Sequence, residues 1–544
     1  MLVRGSRLVL DGERSVALRQ PAILYLFLAI ACGTAAGGFE HRTATAASSG
    51  STESGDQAAA PANGSPQRTQ EAGPPAVEDT PPPRASFLER TLQFLESEGP
   101  QGPSCKEALG LIDEPPQAPP GPVNSVRPTP PDPSGMPVLV VNDAKTAVEA
   151  LPGSQLDALE PQLIEGTPEV LARIGDVIRE GESGGRVRLS FFGASHTGGD
   201  MWTGEIRRRL QDRWGDLGHG FILPAALYRG YRGRDINLCR TDGWLSDWAG
   251  KANGHGDGLL GFAGMSVSSK NPRDFGWVET TRQNPHGRKV QWFDLYTLGQ
   301  PGGGSLSITV DGSAPQALTT KSDSIQLQRT RIEVNDGSHR LVLAPAGDGE
   351  ARVFGVSLER AGGGALVDAM GIRGRQANTW LGWDTSLFQA GLSSLDPDLV
   401  VLAYGTNEAA DQSYTMEAYR KDLHQVLERL RAALPARTPC ILAGPSDRGI
   451  KLGGNAFAVW DRTAAVTEVQ RELAPLYGCG FWDWQAATGG PGSMVAWRFH
   501  KPQLAAGDLI HFTRRGYEWL GQRFVDQLLE LGKERPTSSP VENP

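Results

Sequence analysis

The chain has 544 residues, a formal net charge of -9 with a pI near 5.6, and 68 glycines and 39 prolines that are unevenly spread. That length leaves room for two or three domains, and an acidic balance without a broad basic surface argues against nucleic acid as a partner. Five cysteines, Cys32, Cys105, Cys239, Cys440 and Cys479, show no CxxC or other ligand spacing, so neither a metal centre nor a dense disulfide framework is expected.

In chain order, Arg4, Arg7, Arg14 and Arg19 precede the apolar run Pro21–Ala31. This reads as an export signal over 1–32, too short to serve as a permanent membrane span. Cys32 stands where lipidated bacterial signals carry their cysteine, but Ala29 occupies a place usually held by Leu. Cleavage is the leading reading and a membrane tether through Cys32 the alternative. Residues 33–135 are rich in Ala, Ser, Thr, Pro and Gly, a composition that buries too little apolar area to offset chain entropy, and they read as a disordered tether. Within it, Phe87–Glu98 has helical spacing and no assigned role.

Order is expected from Met136, with a helix over Pro168–Arg179, a strand over Val187–Phe192 and a helix over Trp202–Trp214. Further strands are expected at Asp398–Ala403, Pro439–Ala443 and Phe481–Trp484, and helices at Met416–Leu434 and Gly516–Leu531. Buried strands alternating with helices predict an α/β fold with a parallel sheet covered on both faces. Between Leu259 and Glu359 the pattern changes to short alternating runs at Val290–Leu295, Ser305–Val310, Ile325–Gln328, Thr330–Val334, Arg340–Ala344 and Ala351–Leu358. Such spacing predicts a β-sandwich. The expected organisation is therefore an α/β domain over 136–258 and 360–535, interrupted by a sandwich at 259–359, with a disordered tail at 536–544.

Four segments carry candidate chemistry. Ser195, in Gly193-Ala194-Ser195-His196-Thr197, sits at an expected strand-to-helix turn where a hydroxyl and backbone N–H groups meet at the sheet edge, although the same string is an ordinary helix cap. Asp508-Leu509-Ile510-His511 offers in one loop the base and the carboxylate that a serine nucleophile needs; the plain alternative is a turn cap beside a loop histidine. Gly405-Thr406-Asn407-Glu408 follows a buried strand and places an amide where an oxyanion would develop, or else simply turns the chain. Gly371-Ile372-Arg373-Gly374-Arg375-Gln376-Ala377 offers a glycine N–H to the same point, or is a flexible loop.

In this order the four segments resemble the conserved blocks of the SGNH, or GDSL-like, hydrolases, over about Met136 to Leu531 apart from the sandwich. The resemblance implies a three-layer α/β fold, a catalytic Ser195 with Asp508 and His511, and an oxyanion hole from Ser195, Gly374 (Gly371 less so) and Asn407, with no metal or cofactor. The usual Gly-Asp-Ser is Gly-Ala-Ser here. Because the triad carboxylate comes from elsewhere, Ala194 puts loop rigidity or substrate preference in question rather than activity. Gly193–Leu210, Gly489–Met494 and the position of the jelly-roll-like sandwich are similar to bacterial peptidoglycan O-acetylesterases, whose insert resembles a carbohydrate-binding module. The implied partner is an O-acetylated polysaccharide such as peptidoglycan, met in the periplasm or cell envelope. An O-acetyltransferase and a non-catalytic glycan-binding protein are the rivals.

Substrate contacts are expected at His196, Asp447 and Trp484, each of which has a structural alternative. Trp482 and Trp484 alternate as in a strand, one for the core and one for a sugar. Trp244, Trp248, Trp277 and Trp292 are stacking candidates, and Arg373 and Arg375 are candidates for anionic substrate groups. Cys440 opens an apolar run and Cys479 precedes another, so buried free thiols are the leading reading for both, with one bridge in an oxidising compartment as the alternative.

Overall fold

The protein is described here by a computed structural model covering residues 136, 138–140, 153–225, 231–281 and 285–533. The expected export signal, Cys32, the tether, the helix at Phe87–Glu98 and the tail at 536–544 lie outside the described residues. Among the described residues no helix is long and apolar enough to cross a membrane.

A parallel sheet runs in the order Gly364–Gly371, Arg186–Gly193, Leu399–Ala403, Cys440–Ala443, Cys479–Trp482. Alternation along the strand Arg186–Gly193 sends Val187, Leu189 and Phe191 to one face, where they join Ile174 and Ile178 of the helix Pro168–Glu182, Trp202 and Ile206 of Trp202–Trp214, and Leu520 and Phe524 of Arg514–Lys533. Val400 and Leu402 face the other way, toward Leu387 and Leu392 of Thr385–Leu395 and Leu423 and Val426 of Met416–Ala433. Thr167 caps the first helix by accepting from Val170 N, with Pro168 at the first turn, and Thr415 caps Met416–Ala433 by accepting from Ala418 N at 3.1 Å.

Between Gly220 and Glu359 the chain builds antiparallel sheets. One has the order Gln316–Thr319, Ser305–Val310, Arg340–Pro345, Gly276–Thr280, Ile236–Arg240. The other runs Gln326–Gly337, Val290–Gly299, Ala351–Glu359, Met265–Ser269, Leu245–Trp248, with Gly220–Ile222 also paired to Ala351–Glu359. The expected boundary at 259 thus falls inside this antiparallel region, whose strands begin at Gly220. Their short runs, set among glycines and charged residues, lack the alternation that marks the later strands. The runs expected at Ile325–Gln328 and Thr330–Val334 form one continuous strand.

Leu306, Ile308, Leu341 and Leu343 from the first antiparallel sheet and Phe293, Leu295, Val353 and Val356 from the second share one apolar cluster, which continues into Met370, Val400 and Leu402 of the parallel sheet. Polar side chains cross the same junction: Arg188 pairs with Asp368 at 3.2 Å and with Glu359, while Ser190 Oγ and Phe221 N donate to Asp368 at 2.7 and 2.8 Å.

Candidate active site

Gly193 is level with Gly371 on one side and Ala403 on the other, so three neighbouring strands end on the same rung. The segments that leave this edge carry Ser195, Gly374 and Asn407. In open α/β sheets the crevice beyond the strands' carboxyl ends is where ligands bind. Ser195 opens the short helix Ser195–Gly198, held by Gly198 N donating to Ala194 O at 2.8 Å. Gly371 packs so closely beneath this turn that a Cβ there would lie 2.1 Å from Gly198 N. Ala194, in place of the usual acidic residue, is 4% exposed and belongs to the apolar core, so the turn is closed by backbone bonds and packing.

The Ser195 hydroxyl donates to His511 Nε2 at 2.7 Å, and His511 Nδ1–H donates to Asp508 Oδ2 at 2.6 Å. Asp508 Oδ1 accepts from the backbone N–H groups of Ile510 and His511 at 3.0 and 2.9 Å. The loop achieves this by placing Leu509 in the left-handed region, φ 56°, and burying its side chain. Burial opposes ionisation of Asp508, but the His511 charge and the hydrogen bonds outweigh it and hold the carboxyl down at about 2.

Asn407 lies in the helix Thr406–Ala410, and its side-chain amide donates to Arg375 O at 2.8 Å, which fixes the amide plane and leaves a second N–H for a ligand. Gly374 has φ 72°, a conformation costly for other residues. Neither the Ser195 nor the Gly374 N–H has a backbone acceptor among the described residues. Glu408, for which the sequence reading assigned no role, locks the two loops together: its carboxylate accepts from Ala377 N at 2.7 Å and Gly405 N at 2.9 Å. Burial pushes Glu408 up to about 6 in spite of these bonds. The signal was present as a glutamate three residues after the helix-capping Gly405.

The three expected substrate contacts are corrected by their surroundings. His196 is buried, with Nδ1 2.8 Å from Tyr517 Oη and Nε2 3.1 Å from Ser446 Oγ, so both ring nitrogens are engaged inside the protein. Burial and the neighbouring His511 lower its pKa to about 3, which keeps the ring neutral. Asp447 is fully buried and accepts from Gln485 Nε2, Gly492 N and Met494 N, anchoring the 489–494 turn. Trp484 is buried, stacked on Phe512 with 6.1 Å between ring centres, and begins a helix capped by Asp483 rather than ending a strand. Of the other stacking candidates, Trp244 and Trp277 are core residues, Trp292 lies beneath Arg186 and Arg331, and Trp248 lies beneath Lys251.

Cys440 and Cys479 face each other on adjacent parallel strands and form a disulfide, the alternative to the free thiols that were the leading expectation. Register, which spacing in sequence does not reveal, brings them together. Cys239 is also disulfide-bonded.

Residues 337–519 match the GDSL-like Lipase/Acylhydrolase family, a span that holds Gly374, Asn407, Asp508 and His511 but not Ser195. A solved structure described as "Peptidoglycan O-acetylesterase in action, 5 min" is 24% identical and superposes with a TM-score of 0.55, covering 70% of this chain and 98% of its own. A family two carbohydrate esterase from Cellvibrio japonicus is 11% identical, with a TM-score of 0.23 over 55% of this chain and 98% of its own. No curated protein matches the chain. The chain therefore carries a GDSL-like lipase/acylhydrolase domain on an SGNH-type α/β fold and is an ester-hydrolysing enzyme.

Proposed function

We propose that the protein is an exported serine esterase that removes O-acetyl groups from a cell-wall or other polysaccharide through an acyl-enzyme on Ser195. The observation that carries this reading is the unbroken chain from the Ser195 hydroxyl through His511 to Asp508, with links of 2.7 and 2.6 Å. Ser195 Oγ attacks the acetyl carbonyl while His511 Nε2 takes its proton, and the N–H groups of Ser195 and Gly374 with the Asn407 amide receive the oxyanion. Collapse of the tetrahedral adduct returns that proton from His511 to the departing sugar oxygen. Water, deprotonated by His511, then attacks the acyl carbonyl and releases acetate and free Ser195.

A polysaccharide substrate is supported by the fold shared with a structure described as a peptidoglycan O-acetylesterase. We read the antiparallel sheets between Gly220 and Glu359 as an inserted β-sandwich of the carbohydrate-binding-module kind, supported by the common apolar cluster between them. Export is supported by the disulfides, which persist in oxidising compartments.

Acetate release from O-acetylated peptidoglycan, acetylated xylan and aryl acetates, with Ser195→Ala as control, tests the proposal. Loss of release with Ser195→Ala on at least one polysaccharide is expected. Undiminished release by that variant would remove Ser195 from the mechanism, and mass gain on an added glycan acceptor would turn the reading to acetyl transfer.

A further inference from the structure

Two arginines next to this site have no ion-pair partner among the described residues. Arg448 follows the strand Cys440–Ala443 and is held from two sides. On one, Gly449 N donates to Leu509 O at 3.0 Å, tying the segment to the loop that carries Asp508 and His511. On the other, Trp460 N donates to Arg448 O at 3.1 Å, the Arg448 guanidinium lies 5.5 Å from the Trp460 ring centre, and Trp460 Nε1 donates to Ala409 O at 2.7 Å in the helix that carries Asn407. Arg448 therefore sits between the triad loop and the oxyanion helix. Arg375 adjoins Gly374, and its carbonyl is the acceptor for the Asn407 amide.

Neither side chain makes an ion pair with a described residue, and the Nε of each is buried without a hydrogen-bond partner. An arginine so placed is costly unless something supplies the missing acceptor. Burial pulls Arg448 down to about 10, and burial also lowers Arg375 with no opposing charge to raise it. Asp508 is the charge Arg448 feels, but the Asp508 oxygens already serve His511 and two backbone N–H groups. A planar guanidinium fork matches a carboxylate.

We propose that Arg448 is a specificity-determining residue that receives a carboxylate of the glycan near its acetylated carbon, so that the enzyme selects acetylated acidic polysaccharide over neutral polysaccharide. This rests on the esterase reading of Ser195.

The test uses one backbone in two charge states: acetylated polygalacturonate as the free acid and after methyl esterification of its carboxylates, with acetate release as the readout. The wild-type protein is expected to favour the free acid by about ten-fold to a hundred-fold in kcat/KM, the ratio that a charge-assisted hydrogen bond supplies. That preference is expected to shrink as ionic strength rises, to collapse in Arg448→Gln and to survive in part in Arg448→Lys. Equal rates on the two forms by the wild-type protein, or an undiminished preference in Arg448→Gln, would overturn the proposal. Should Arg448→Gln fail to fold, the wild-type salt dependence and Arg448→Lys decide it. A Ser195→Ala variant that still releases acetate refutes the esterase reading itself, whereas an inactive Ser195→Ala beside an indifferent wild-type protein refutes only the role of Arg448.

Discussion

Asp508 serves three N–H groups with two oxygens, and this fixes what each substitution should do. Replacing it with Asn keeps the shape but puts an amide against His511 Nδ1, which favours the wrong imidazole tautomer. Asp508→Asn is expected to lower kcat about 10⁴-fold on any acetyl ester with an unchanged far-ultraviolet spectrum, measured by steady-state kinetics and circular dichroism. Asn407→Ala removes a donor aimed at the oxyanion and leaves Arg375 O without its partner. Its expected cost is about 10²- to 10³-fold in kcat with little change in KM, because the lost bond matters most once charge has moved to the carbonyl oxygen.

Between elements, Glu408 and the disulfide do the joining. Glu408 has its folded pKa raised from 4.5 to about 6, so the stability it contributes is complete below 4.5 and is lost as pH rises through about 6. Urea titrations of the wild-type protein and Glu408→Gln from pH 4 to 7 should show a shallower decline with rising pH in the variant. The Cys440–Cys479 bridge spans a sequence separation of 39. Chain-entropy arguments give such a loop about 4 kcal/mol, so the double change to alanine should lower the unfolding free energy by that order in denaturant titrations. These joints also mark where the sequence was legible and where it was not. The helix Trp202–Trp214 and the strand Ser305–Val310 were readable because each has one clear period and clear ends. The strand Gly364–Gly371 was not, because Asp368 interrupts its apolar run and is satisfied by Arg188, Ser190 and Phe221, which come from far along the chain. His196 and Asp447 read as substrate contacts for the same reason, because the groups that enclose them come from distant segments. The triad and Asn407 were legible as local strings, whereas their burial, their partners and the role of Glu408 depend on which segments meet.

Across the molecule, the antiparallel sheets are fastened to the parallel sheet by apolar packing and by the buried cluster of Arg188, Asp368 and Glu359. Removing one member strands the others, and Asp368→Ala is expected to cost about 3–5 kcal/mol, read from urea unfolding, since Arg188 would lose a carboxylate at a site closed to water. The excursion that builds those sheets has another property. Ala365 N donates to Gly215 O at 2.9 Å, and Asp216 bridges to Ala365, so the chain departs from the helix Trp202–Trp214 and rejoins the parallel layer at points one hydrogen bond apart. A detour whose two ends already touch adds little closure penalty however long it grows. The spacing of the nucleophile turn and the oxyanion loop therefore rests on the contact of Gly215 and Asp216 with Ala365, and not on the length of chain that runs between Gly215 and Gly364.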